Sequence, residues 1–371
     1  MSTIRQATAL LSFAVLVGGA QTAAAQFYAQ HNLVSDQPGV ADLQDTSLVN
    51  AWGLGATATS PWWVANNGTG TSTLYNTSGP VVAKLGLTVT IPGGKPTGLV
   101  ANCGTGFPVT AGGVTASSRF IFAGEDGSIS GWNPGVPPPA TSMKATIAIQ
   151  PSDKIYKGLA IACTTPGGDF LYATDFHHGK VDVYNSSFTL QTMPGAFSDP
   201  KIPKGYAPFG IQNIGGTIYV TYALQDEDAE DDVAGVGHGY VNAFTTAGGL
   251  IRRVASKGTL NSPWGLAMSP AGFGKFSSDL LVGNFGDGLI QAFDANGLRG
   301  DDESRFLGLL HSANGPPLKI DGLWALQFGN GAAAGPKSTL FFTAGPDDES
   351  HGLFGSLVVT TPPNGDQSDN D

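Results

Sequence analysis

KGLAIAC (157–163), followed after a short turn by DFLYATDFHHGKVDVYN (169–185), is one unit of a pattern that runs through the chain. A glycine and an aliphatic residue open an apolar run that ends in small or polar residues. A second apolar run follows, then a glycine-containing turn, then alternating residues that close on an aromatic. The same order recurs in AWGLG…PWWVANNGTGTSTLYN (51–76), TGLVANC…RFIFAGEDGSISGWN (97–133) and FGIQN…TIYVTYALQDEDAEDDVAGVGHGYVNAF (209–244). It returns in WGLAM…DLLVGNFGDGLIQAFD (264–294) and DGLWAL…TLFFTAGPDDESHGLFGSLVV (321–359). The opening glycines, Gly53, Gly98, Gly158, Gly210, Gly265 and Gly322, lie 45 to 60 residues apart.

Each unit reads as four short strands, the first buried and the last polar. One such sheet cannot bury both of its faces, whereas six packed radially bury all of them and leave only short edges. The expected fold is therefore all-β, a six-bladed β-propeller of four-stranded blades. A sandwich lacks this recurrence, and a parallel β-helix repeats at a shorter period. The sixth unit has no outer strand after Val359, while FYAQHNLVSD (27–36) is a β run without a unit of its own. Pairing them closes the ring, so that an N-terminal strand completes the last blade and two open edges disappear. Composition agrees, with 53 Gly and 24 Pro available for turns and only 13% charged residues.

Residues 1–25 combine Arg5, an apolar run and the small-residue site Ala23-Ala24-Ala25, the pattern of a signal peptide cut before Gln26. The apolar run is shorter than the roughly 20 residues a membrane helix needs. The expected organisation is a leader at 1–25, a single propeller at 26–359 and a polar, disordered tail at 360–371. The protein is then exported, extracellular or periplasmic, with no membrane span and as a monomer. With 18 basic and 29 acidic residues and no Lys/Arg-rich block, nucleic acid and anionic membranes are poor partners. Cations and basic partners remain.

The architecture resembles the NHL-type and gluconolactonase-type six-bladed propellers. The phrases APFGIQNIGGTIYVTYA (207–223), NSPWGLAMSPAGFGKFSSDLLVGNFGDG (261–288), IDGLWALQFGNG (320–331) and FFTAGPDDESHGLFG (341–355) are similar to a widespread family of exported bacterial proteins. The resemblance implies fold and export and no particular activity. Gluconolactonase-type enzymes hold a calcium-like ion with acidic and amide side chains near the starts of inner strands. The residues before the six glycines are here Trp52, Thr97, Lys157, Phe209, Trp264 and Asp321. With one carboxylate among them, the resemblance does not carry that metal centre across.

Cys103 and Cys163 each stand five residues after an opening glycine, in neighbouring units. Equivalent positions on adjacent inner strands are close, and an oxidising compartment favours a disulfide between them.

The stretch LQDEDAEDDVAGVGHG (224–239) enlarges the turn between strands two and three of unit four. In a propeller the six such turns share one rim with the starts of the inner strands. Carboxylates on that rim, Asp175, Asp226, Asp228, Asp287 and Asp348, are candidate ligands for calcium or another divalent cation. The acidic run itself stays open between a solvated loop, a partner-facing lid and a cation site. His178, His238 and His351 fall in the same class of turn. Trp52, Phe209, Trp264 and Trp324 lie at or near the inner-strand starts, either plugging the pore or flooring a pocket, with Lys157 and Asp321 the charged groups nearest the axis. No motif requires a cofactor. The expected function is a binding module that takes an unknown ligand or protein on its acidic, aromatic pore face. The alternative is a metal-assisted, calcium-type hydrolase or lactonase built on Asp321, His238, His351 and the rim carboxylates.

Overall fold

The computed structural model describes residues 27–165, 168–298 and 304–361. The expected leader at 1–25 and the tail beyond Thr361 lie outside them. Six antiparallel sheets follow one another along the chain as blades. Blade one is Ala51–Gly55, Trp62–Asn66, Thr71–Asn76 and Ala83–Thr90. Blade two is Pro96–Ala101, Phe120–Gly124, Ile129–Trp132 and Thr146–Ile149, with an inserted hairpin, Pro108–Ala111 and Val114–Ser117. Blade four is Tyr206–Ile214, Thr217–Leu224, Tyr240–Phe244 and Leu250–Ser256. Blade five is Pro263–Met268, Leu280–Asn284, Ile290–Leu298 and Ser304–Leu309.

Blade three has three regular strands, Tyr156–Thr165, Gly168–Asp175 and Lys180–Asn185. Its outer position is filled by a short irregular segment, where Leu190 bridges Tyr184 and the Gln191 N–H donates to the Val183 carbonyl. Blade six is Leu323–Phe328, Leu340–Ala344 and Leu353–Thr360, completed by the N-terminal strand Phe27–Ser35. That strand runs antiparallel from Phe27 opposite Thr360 to Ser35 opposite Leu353, so the ring closes across residues distant in sequence. The last strand extends one residue past the expected boundary at Val359.

The opening glycines follow from crowding at the axis. A Cβ on Gly210 would stand 2.1 Å from the Trp264 carbonyl oxygen, and one on Gly53 2.3 Å from that of Thr97. Inner strands of consecutive blades thus touch through backbone, and a side chain there has no room. The pairing registers place Leu54, Leu99, Leu159, Ile211, Leu266 and Leu326 at equivalent positions, each just past a bulge. Blade six therefore puts Trp324 and Ala325 where blade one has Trp52 and Gly53. This corrects the expected alignment on Gly322, whose φ of +62° and approach of 2.1 Å to the Gly345 carbonyl belong to a turn. Asp321 is consequently exposed and off the axis, accepting the Asp347 N–H at 2.9 Å.

The disulfide Cys103–Cys163 forms as expected, with Cα atoms 6.0 Å apart, and ties blades two and three toward the far ends of their inner strands. Among the described residues no helix is long and apolar enough to cross a membrane.

Candidate functional site

The true axial ring is Trp52, Thr97, Lys157, Phe209, Trp264 and Trp324. Its aromatics fill the hub. Trp324 stacks on Trp52 at 3.6 Å and on Phe285 at 3.9 Å, and meets Phe209 and Trp264 edge-on at 5.9 Å. All four ring aromatics are at most 9% exposed. Of the two roles open to them in the sequence, plugging the pore or flooring a pocket, they take the plug, so they support the site from below.

Lys157 is the only charged residue of this ring. Its side chain is 3% exposed, with Nζ 5.4 Å above the Trp52 ring, 2.7 Å from Glu125 Oε1 and 2.8 Å from Asp231 Oδ1. Burial disfavours the ammonium, but Glu125 and Asp231 outweigh it and hold the Lys157 pKa above the usual lysine range. Glu125 comes from the blade-two turn and Asp231 from the blade-four insertion. Asn67 of blade one donates to Glu125 Oε2 at 3.0 Å. Asn50, which leads into the first strand of that blade, donates to Glu349 Oε2 from the blade-six turn and accepts the Trp324 indole N–H at 2.9 Å. Burial, followed by repulsion from Glu125, raises the Glu349 pKa to about 7.

Above this cluster opens a cleft of about 530 Å³. Glu125, Lys157 and Asp231 lie against the hub, while Asp126, Asp153, Lys154, His177 and Glu230 form the outer wall. The insertion leans on blade three here: His177 Nδ1 is 3.2 Å from the Ala229 carbonyl oxygen, and Gln225 donates to the Phe176 carbonyl at 2.6 Å. Turns distant in sequence do meet around one hub.

The other expected site residues are dispersed. His178 Nδ1 is 2.9 Å from Asp175 Oδ2, and Asp175 is fully buried, its pKa raised by that burial. His238 Nδ1 contacts the Val233 carbonyl at 2.8 Å, and His351 Nδ1 pairs with Asp36 Oδ2 at 2.8 Å. Asp226 Oδ1 accepts the Glu230 N–H within its own loop, and Asp287 is held by Asn284 and Asn261. Asp228 and Asp348 are exposed. The five candidate metal ligands, Asp175, Asp226, Asp228, Asp287 and Asp348, thus do not converge. Among the described residues no group of three or more His, Cys, Asp or Glu is placed to hold a metal ion. Asp321 meets the turn that carries His351 through the Asp347 N–H, while His351 itself pairs with Asp36 and His238 with the Val233 carbonyl.

Sequence reasoning missed Asn50, Asp231 and Glu349 as members of one cluster. The available signal was position: Asn50 precedes the ring residue Trp52 by two, and Glu349 sits in the turn equivalent to that of Glu125.

The fold agrees with known propellers. A glucose dehydrogenase structure superposes with a TM-score of 0.51 over 88% of this chain and 98% of its own, at 11% identity, a likeness of fold alone. No family model matches the chain. Two proteins of Acanthamoeba polyphaga mimivirus align over most of its length: "uncharacterized protein R648" at 34% identity, covering 88% of this chain and 78% of that one, and "uncharacterized protein L690" at 33%, covering 88% and 84%. The resemblance read in the sequence points to bacterial proteins, whereas these relatives are viral. Identity at this level over nearly the whole propeller means that the chain belongs to the family of R648 and L690.

Proposed function

We propose that the chain is an exported binding module whose pore-face cleft, between the blade-two, blade-three and blade-four turns, receives a polar ligand or a segment of a partner protein. The observation that carries this reading is the cleft of about 530 Å³ opening over a buried, doubly paired Lys157. A charged group so deeply desolvated is costly unless fixed by partners, and the partners fixing it come from blade two and from an insertion. That arrangement holds a concave polar surface in one shape, as a binding site requires. The disulfide supports passage through an oxidising compartment.

The test is a thermal-shift panel of oligolysine, oligoglutamate and neutral oligosaccharides, repeated on Ser152→Trp, a substitution that fills the cleft mouth from an exposed position. At least one class should raise the melting temperature of the wild type and lose most of that effect in the variant. Equal shifts in both proteins, or none with any class, would overturn the assignment.

A further inference from the structure

The cleft lies at one end of the axis, and a second cavity opens at the other. It holds about 140 Å³ and is bordered by the far halves of five inner strands, at Gly55, Val100, Ile161, Gln212 and Gln327 of blades one, two, three, four and six. The plug of Trp52, Phe209, Trp264 and Trp324 stands between the two.

Backbone supplies much of this lining. Each inner strand is the terminal strand of its sheet, and in an antiparallel pair alternate residues direct their N–H and C=O away from the partner. Those groups face the axis. At the hub, inner-strand carbonyls are taken up by donors from other blades: Thr97 donates to that of Tyr156 at 2.6 Å, Thr174 to that of Phe209 at 2.7 Å, and the Trp264 indole to that of Lys157 at 3.1 Å. Among the described residues, one such bond reaches the carbonyls lining the far cavity, from the Asn213 amide to Ile161 at 2.8 Å. The half-buried side-chain amides of Gln212 and Gln327 make no hydrogen bond to another described residue.

Polar groups drawn out of bulk water need partners, so this lining selects an occupant that both donates and accepts. Of the described residues bordering the cavity none is ionisable, so a charged occupant finds no counter-charge there. Leu54, Leu99 and Val100 add an apolar wall.

We propose that this second axial cavity is a binding site for a small uncharged polyol, of the size of glycerol or erythritol. Its volume equals that of about five waters in the liquid, room for a few carbons and their hydroxyls. A hydroxyl donates and accepts at one atom, so it can pair with N–H, C=O and side-chain amide alike. The C–H groups of the ligand lie against the leucine and valine side chains.

Titration of the full chain with erythritol, followed on the side-chain amide NMR signals of Gln212 and Gln327, tests this. Both signals should shift and saturate at millimolar concentration, and acetate and methylammonium should produce no saturable shift. Affinity measured by calorimetry should fall about fivefold or more in Gln212→Leu/Gln327→Leu. It should stay at the wild-type value in Ser152→Trp, which fills the cleft beyond the plug, so failure here would leave the cleft reading untouched. Shifts that grow linearly with erythritol would mean that water alone occupies the cavity and would overturn the assignment. So would equal affinity in the double variant, or a charged probe that binds as well as the polyol. Should the double variant not fold, NOEs in the wild type decide: contacts from erythritol to the Leu99 and Val100 methyls support the site, and their absence ends it.

Discussion

Two sets of carboxylates share the pore face, and they have opposite surroundings. Glu125 and Asp231 pair with Lys157 above stacked indoles, and Glu349, bonded to Asn50, lies within reach of their charges. Glu227, Asp228 and Glu230, immediate neighbours of Asp231, point into solvent. The density of charge along the chain is the same or higher in the second set. What separates them is distance from the axial ring, where an inner-strand residue can meet partners from several blades at once. A propeller thus makes a site from single residues contributed by many turns, and a run of like residues on one turn is mostly hydrated.

The largest effect should come from the plug beneath the cluster. Trp324 stacks on two rings, touches two more and donates to Asn50, so Trp324→Ala should cost about 3–5 kcal/mol in denaturant unfolding. A loss under about 1 kcal/mol would mean that the hub tolerates a void and is no foundation for the cluster.

Next in size is Lys157→Met, which removes the buried cation from Glu125 and Asp231 and leaves Glu125 only the exposed Lys95 ammonium at 4.0 Å. Breaking a buried pair from one side costs about 3 kcal/mol or more. Lys157 also restrains the rise of the Glu349 pKa, so the variant should lose more stability at pH 8, where that carboxyl is ionised, than at pH 5. Equal losses at both pH values would show that Glu349 and Lys157 are uncoupled. The disulfide stands apart from this region, and replacing Cys103 and Cys163 together by serine should cost about 2–4 kcal/mol for a crosslink spanning 60 residues, independent of pH from 5 to 8.

Much of this comparison was legible in the sequence. Gly53, Gly98, Gly158, Gly210 and Gly265 mark inner strands because backbone meets backbone there, and that steric demand leaves a readable repeat. Lys157 was legible as an axial charge for the same reason. Blade six misled because Ala325 replaces the glycine, so that Gly322, required by a turn, stood in for it and shifted Asp321 onto the axis. The partners of Lys157 were not legible, because which residue of a turn points inward depends on backbone detail. Asp231 rather than Asp228 reaches the hub, and Asn50 does so from a left-handed position that no local motif announces.

The smallest effects test the comparison most sharply, because Asp228 and Asp231 are three residues apart and chemically identical. Asp228→Asn removes a solvated charge and should change stability by less than about 0.5 kcal/mol. Asp231 is itself 74% exposed, so its bond to Lys157 is screened on one side, and Asp231→Asn should cost only about 1 kcal/mol. The two should nevertheless differ in salt response. Added salt screens the surface repulsion around Asp228 in both proteins alike, whereas the buried ammonium of Lys157 keeps its need for a counter-charge. The deficit of Asp231→Asn should therefore persist in 0.5 M NaCl. If both variants matched the wild type at every salt concentration, Asp231 would belong with its exposed neighbours, and Lys157 would lose one of its two anchors.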